Sequence, residues 1–194
     1  GDTPTQGTEA TANESTLKTG LALVTGISGS SSATAEKNGE GKYDVTMVAV
    51  LVDDQGVIRD CIIDGVSTSV KFDAAGQIVT DLTAAPQTKN ELGDKYGMVA
   101  YGNAKFEWYQ QAQALADFAV GKTVQQLRSG AVSESGYAPE GSDLASSATI
   151  YLGGYVSAIE AAVANATHLG AMSGDSLRLA AQTGISSSTS AGEK

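Results

Sequence analysis

The chain reads as an α+β domain: an antiparallel β-sheet meander with helices packed mainly on one face. Three observations predict it. Between residues 45 and 80, apolar or alternating runs are punctuated by Asp- and Gly-bearing turns, the pattern of hairpins. After Pro86 the apolar spacing changes to that of helices. The 194 residues, 41% of them apolar, suffice for one substantial core.

Leu17 to Ile27 is β-prone and predicts the first strand, followed by a polar loop from Ser28 to Gly41. Val45-Thr-Met-Val-Ala-Val-Leu-Val52 is nearly all apolar and predicts a central strand covered on both faces. Asp53-Asp-Gln-Gly56 supplies a hairpin turn, and Val57 to Ile63 returns. Val66, Thr68, Val70 and Phe72 alternate with Ser67, Ser69, Lys71 and Asp73, giving one buried and one wet face. Asp73-Ala-Ala-Gly76 is a second turn, with Gln77 to Thr80 as a returning strand. The acidic residues here read as turn formers, since Asp bonds its own backbone two residues on.

Thr88-Lys-Asn-Glu91 fits a capping box opening a short helix toward Tyr96. Asn103 is placed to cap a longer helix whose Phe106, Tyr109, Ala112, Leu115 and Ala119 share a face, ending at Gly121. Trp108 lies beside that stripe. Thr123 to Arg128 is a short turn of helix, and Ser129 to Ser142 is a Gly-, Ser- and Pro-bearing loop. From Ile150, the apolar residues Leu152, Tyr155, Val156, Ile159, Val163 and Ala166 mark the last helix.

The formal net charge of −10 argues against nucleic acid and against an anionic membrane surface, because no basic stripe meets the phosphates. No apolar run approaches the roughly 18 residues that a spanning helix requires. Cys61 is the single cysteine, so no intrachain disulfide forms, and its strand context predicts a buried thiol. His168 is the only histidine, expected to be exposed or to cap a helix end, and it leaves no basis for a zinc site or a histidine-dependent triad. A hydrolase lacks its general base.

The segment Asp143-Leu-Ala-Ser-Ser-Ala-Thr149 places hydroxyls where a loop runs into the helix-prone stretch Ile150 to Ala166. Unpaired amides and a positive dipole end at such an entrance favour an anion, phosphate above all. Asp143, Ser146, Ala148 and Thr149 resemble the Asp-x-x-Ser-Gly-Ala-Thr signature of the extracytoplasmic FMN-binding domain family, with Ser147 in place of glycine. Residues about 42–166 resemble that family in the order of elements too, within a domain expected to span 17–170. The resemblance implies FMN as cofactor, esterified through its phosphate to Thr149. Asp143 and Ser146 would shape the loop, and Ser147 and Ala148 would offer amides. Tyr96, Tyr101 and Trp108 are candidate stacking partners for the flavin. The implied role is an extracytoplasmic electron carrier with a redox partner at the cell surface, not an enzyme with its own substrate. The alternative is a degenerate surface module that binds a small ligand or surface partner without flavin. A purely local reading makes Asp143 a helix cap and the hydroxyls first-turn residues.

Residues 1–16 have the composition of a polar tether, and the chain opens on Gly1 instead of methionine, which points to a removed N-terminal segment. A tether of this kind follows the lipid-anchored cysteine of a surface lipoprotein, so a cell-surface location is expected, with membrane contact only through an anchor outside this sequence. The far end holds a repeat. Leu177-Arg-Leu-Ala-Ala-Gln182 followed by Thr183-Gly-Ile-Ser-Ser-Ser-Thr-Ser-Ala-Gly-Glu-Lys194 echoes Thr19-Gly-Leu-Ala-Leu-Val24 followed by Thr25 to Lys37. Residues 175–194 therefore either begin a second copy of the domain or supply a strand equivalent to the first, tandem copies being the simpler explanation.

Overall fold

The computed structural model describes residues 16–192. The tether expected over residues 1–16 falls outside them except for Thr16. Three antiparallel strands form one sheet in the order β1 (Lys18–Gly26), β2 (Gly39–Val52) and β3 (Ile58–Phe72). The α+β architecture expected from the sequence is present, with the helices following the sheet along the chain.

Both hairpin turns are built by their aspartates. The Asp53 Oδ1 atom accepts from the amides of Gln55 and Val57, each at 2.9 Å, while Gly56 takes the left-handed conformation (φ 80°) that closes the turn. Asp73 repeats the arrangement with Ala75 and Gln77. The expected returning strand from Gln77 to Thr80 does not form. A single bridge between Phe72 and Ile78 marks the attempt: Asp73 N donates to the Gln77 carbonyl and Val79 N to the Lys71 carbonyl, each at 2.9 Å, but Lys71 N donates to Thr80 Oγ1 (2.7 Å), and the ladder goes no further. The two β-prone stretches 57–63 and 66–72 are one continuous strand.

The last six residues of β2, Met47 to Val52, are all buried and show why the strand is central. Val48, Val50 and Val52 face the helices together with Ala22, Ile58, Cys61 and Ile63. Ala49 and Leu51 face the other way, into a smaller cluster with Leu17 and Leu177. Both faces of β2 are covered, as its composition predicted.

The helices are α1 (Lys89–Leu92), α2 (Met98–Gly102), α3 (Trp108–Ala119), α4 (Val124–Ala131), α5 (Asp143–Ser147) and α6 (Gly153–Ala164), with a 3-10 turn at Gly93–Tyr96. Thr88 and Glu91 form the expected capping box. Asn103 does not open the long helix. It closes α2 in the left-handed region (φ 54°), which asparagine tolerates, and Glu107 caps α3 in its stead. Glu107 is buried and its carboxylate accepts from Met98 N (2.9 Å) and Val99 N (3.0 Å), fastening the start of α2 to the start of α3.

α3 lies over β3, and α6 lies over β1 and β2. Leu115, Leu152, Val156 and Ile159 are wholly buried between them, each worth about 1.5–3 kcal/mol of burial. α6 sits so close to β1 that a Cβ on Gly20 would fall 1.9 Å from the Ala162 carbonyl oxygen. Trp108 joins this core and donates its indole N–H to Tyr155 Oη at 3.0 Å. Cys61 is the expected buried thiol, and burial, with the charges of Asp60 and Asp117, pushes its pKa up to about 12.

Candidate functional site

The segment from Asp143 to Thr149 does not open the last helix. Residues 143–147 form their own short helix, α5, capped by Ser142 Oγ bonding Ala145 N at 3.2 Å, so Ser142 and not Asp143 is the cap. α6 begins only at Gly153, beyond the motif. Its entrance is closed from within: Leu152 N and Gly153 N both donate to the Gly136 carbonyl, at 2.8 and 3.0 Å. An open helix terminus as an anion site is therefore not what the motif forms.

Each member of the motif has a definite place. Asp143 is exposed. Ser146 is exposed, and its Oγ donates to the Asp143 carbonyl at 2.6 Å, tightening α5. Ala148 is buried, and its amide donates to the Leu144 carbonyl at 2.8 Å, ending the helix. Ser147 is half-buried and borders a shallow depression on the surface of α3. Thr149 is exposed on the strand-like connection to α6.

The connection is held by a residue that sequence reasoning did not single out. Gln111, 1% exposed, accepts through Oε1 from Thr149 N (2.8 Å) and Ile150 N (3.2 Å), and its Nε2 donates to the Phe106 carbonyl (2.9 Å). The Thr149 hydroxyl also reaches Oε1, at 3.4 Å. One side chain thus satisfies both backbone donors of the loop and fixes Thr149 against α3. Its trace in the sequence is a glutamine one helical turn before Leu115, within the apolar face.

The depression beside Ser147 has a volume of about 470 Å³ and is lined by Phe106, Tyr109, Gln110, Gln113, Ala114 and Asp117. Lys105 places its ammonium 5.2 Å from the Phe106 ring centre, supplying a positive charge at the edge. The Tyr109 hydroxyl donates to Asp94 Oδ1 at 3.1 Å. That bond, with burial and the nearby carboxylates, raises the phenol pKa and keeps the proton in place.

The aromatics proposed for stacking lie elsewhere. Tyr96 and Trp108 share the ammonium of Lys89, at 5.4 and 5.0 Å from their ring centres, and Tyr101 is 93% exposed on α2. The rings beside the motif are Phe106 and Tyr109, which spacing alone had assigned to the core stripe. His168 is exposed and pairs with Asp54 (Nε2 to Oδ1, 2.9 Å). Among the described residues no group of His, Cys, Asp and Glu is arranged to hold a metal, and no helix is long and apolar enough to cross a membrane. No family model, curated protein or solved structure matches the chain.

Proposed function

We propose that the domain is an FMN-binding-like module that presents Thr149 for attachment to a flavin phosphate and serves as an extracytoplasmic electron carrier. The observation that carries this reading is the exposed Thr149 on a loop whose backbone Gln111 immobilises, two residues after Ser147, which borders an aromatic-edged depression. A threonine presented for esterification needs an accessible hydroxyl on a main chain that does not wander. The depression offers room beside two rings, and Lys105 offers a charge to a phosphate.

The fit is through side chains. The amides of Ala148, Thr149 and Ile150 are all engaged internally, so a phosphate would be met by the hydroxyls of Ser147 and Thr149 and by Lys105, not by a ring of backbone donors. When bound, flavin supplies one- or two-electron transfer. Ser147, Thr149 and Lys105 would position it.

The engagement of those same amides favours a second reading, a degenerate surface module that holds no flavin. Co-expression with a flavin-attaching transferase separates them. The first reading expects a yellow protein whose colour is lost in Thr149→Ala. A colourless protein that also fails to quench free FMN fluorescence supports the second. Ser147→Gly restores the family signature, and colour appearing only in that variant would identify a decayed carrier.

A further inference from the structure

The outer face of the sheet, opposite the helices, carries the second cluster and is covered by the C-terminal segment. No strand forms between 175 and 192. The segment lies across the face, with Leu177 and Leu179 against Leu17, Ala49, Leu51 and Ile62. Farther along, Ile185 lines a cavity of about 290 Å³ together with Val45, Val66 and Val70, and Ala191 N donates to the Gly76 carbonyl at 2.9 Å.

Burial along this segment alternates. Leu177, Leu179, Ala181, Thr183 and Ile185 are buried or half-buried, whereas Arg178, Ala180, Gln182 and Gly184 are exposed. Period-two alternation is that of an extended chain with one side seated. The segment repeats the sequence of β1, so each position has a counterpart. Leu179 matches Leu21, Ala181 matches Leu23 and Ile185 matches Ile27. In β1 the first two counterparts point to the outer face and are bare, Leu21 48% and Leu23 60% exposed, and Ile27, just past the end of the strand, is 61% exposed. The positions that face solvent in the segment, Arg178 and Ala180, match Gly20 and Ala22, which β1 turns inward to the helices.

Apart from Leu177, whose counterpart Thr19 is half-buried, the side of the repeated sequence turned to the sheet is therefore the side that β1 leaves uncovered. We infer that the outer sheet face is a docking surface for the β1 stripe of a second copy of this domain, the two sheets packing face to face. The C-terminal segment occupies that surface in the single chain as a copy of the same stripe. Face-to-face packing of two such sheets is self-complementary: each stripe lies on the other copy's β2 and β3. In a tandem arrangement the segment would be the first strand of the next copy, its free side turned to that copy's helices. Arg178 at the Gly20 position would set that copy's helix farther from the strand than α6 lies here.

The tethered segment competes at an effective concentration on the order of millimolar, which keeps the full chain monomeric. Substituting Leu179→Asp together with Ile185→Asp should release it and convert the full chain to a dimer in sedimentation. Adding Leu21→Asp and Leu23→Asp, both at exposed positions, should return the monomer. The near-ultraviolet signal of buried Trp108 reports that the helix side stays folded throughout. If the double variant does not fold, Ile185→Asp alone uncovers the Val66 end and carries the same expectation. A released variant that remains monomeric overturns the inference, as does a dimer indifferent to Leu21→Asp and Leu23→Asp.

Discussion

Replacing Gln111 with leucine tests how the Thr149 loop is held. The side chains are similar in size, so the change removes hydrogen bonds with little change of volume. Three contacts to backbone disappear: those to Thr149 N, Ile150 N and the Phe106 carbonyl. A net loss of about 0.5–1.5 kcal/mol per bond would total about 1.5–4.5 kcal/mol. Because Thr149 is exposed, and Ile150 and Phe106 are half-buried, water can partly replace the lost partner, and leucine gains apolar burial. The expected net destabilisation is about 1–3 kcal/mol, read from the urea midpoint. Amide exchange localises it: Thr149 and Ile150 should exchange faster, while Leu115 and Ile159 keep their protection. An unchanged midpoint with unchanged exchange at Thr149 and Ile150 would refute the role given to Gln111.

Two further substitutions probe the frame that supports the loop. Cys61→Ala removes a thiol whose pKa burial raises from 9.0 to about 12. Above about pH 9 the unfolded chain sheds that proton while the folded one keeps it, so the wild type should lose about 1.4 kcal/mol per pH unit relative to Cys61→Ala up to about pH 12; parallel curves from denaturant titrations would contradict this. For Asp53, burial alone would raise the carboxyl pKa, but bonds from Val57 N, Arg59 and Gln55 N outweigh it and hold the group below its ordinary 3.8. Asp53→Ala should cost about 1–2 kcal/mol near neutrality. Because the folded pKa is the lower one, that difference should shrink as pH falls through the carboxylate range, and a difference independent of pH would count against the Asp53 bonds.

Local rules made most of the frame legible. The Asp-x-x-Gly turns, the Thr88–Glu91 box and the apolar run of β2 each state their structure in a few consecutive residues, and each formed as expected. Asn103 was ambiguous because asparagine serves equally well at a helix start and in the left-handed position that ends one. The Gln77–Thr80 strand stopped at one bridge because the next ladder donor, Lys71 N, bonds the Thr80 hydroxyl, a side-chain competition that β-propensity does not register. The candidate site was legible only in part. The hydroxyl sequence drew attention to the correct loop, but the internal partners of its amides, Gln111 and Gly136, come from distant segments that no local pattern connects. A glutamine inside an apolar helix face was the one available clue.

Attachment of a flavin to Thr149 is decided by peptide mapping with tandem mass spectrometry of protein co-expressed with a flavin-attaching transferase. The fragment containing Thr149 should gain one flavin mononucleotide less one water, with the bond on the threonine oxygen and no gain in Thr149→Ala. A fragment of unmodified mass, from a preparation in which a control flavoprotein is fully labelled, would contradict it.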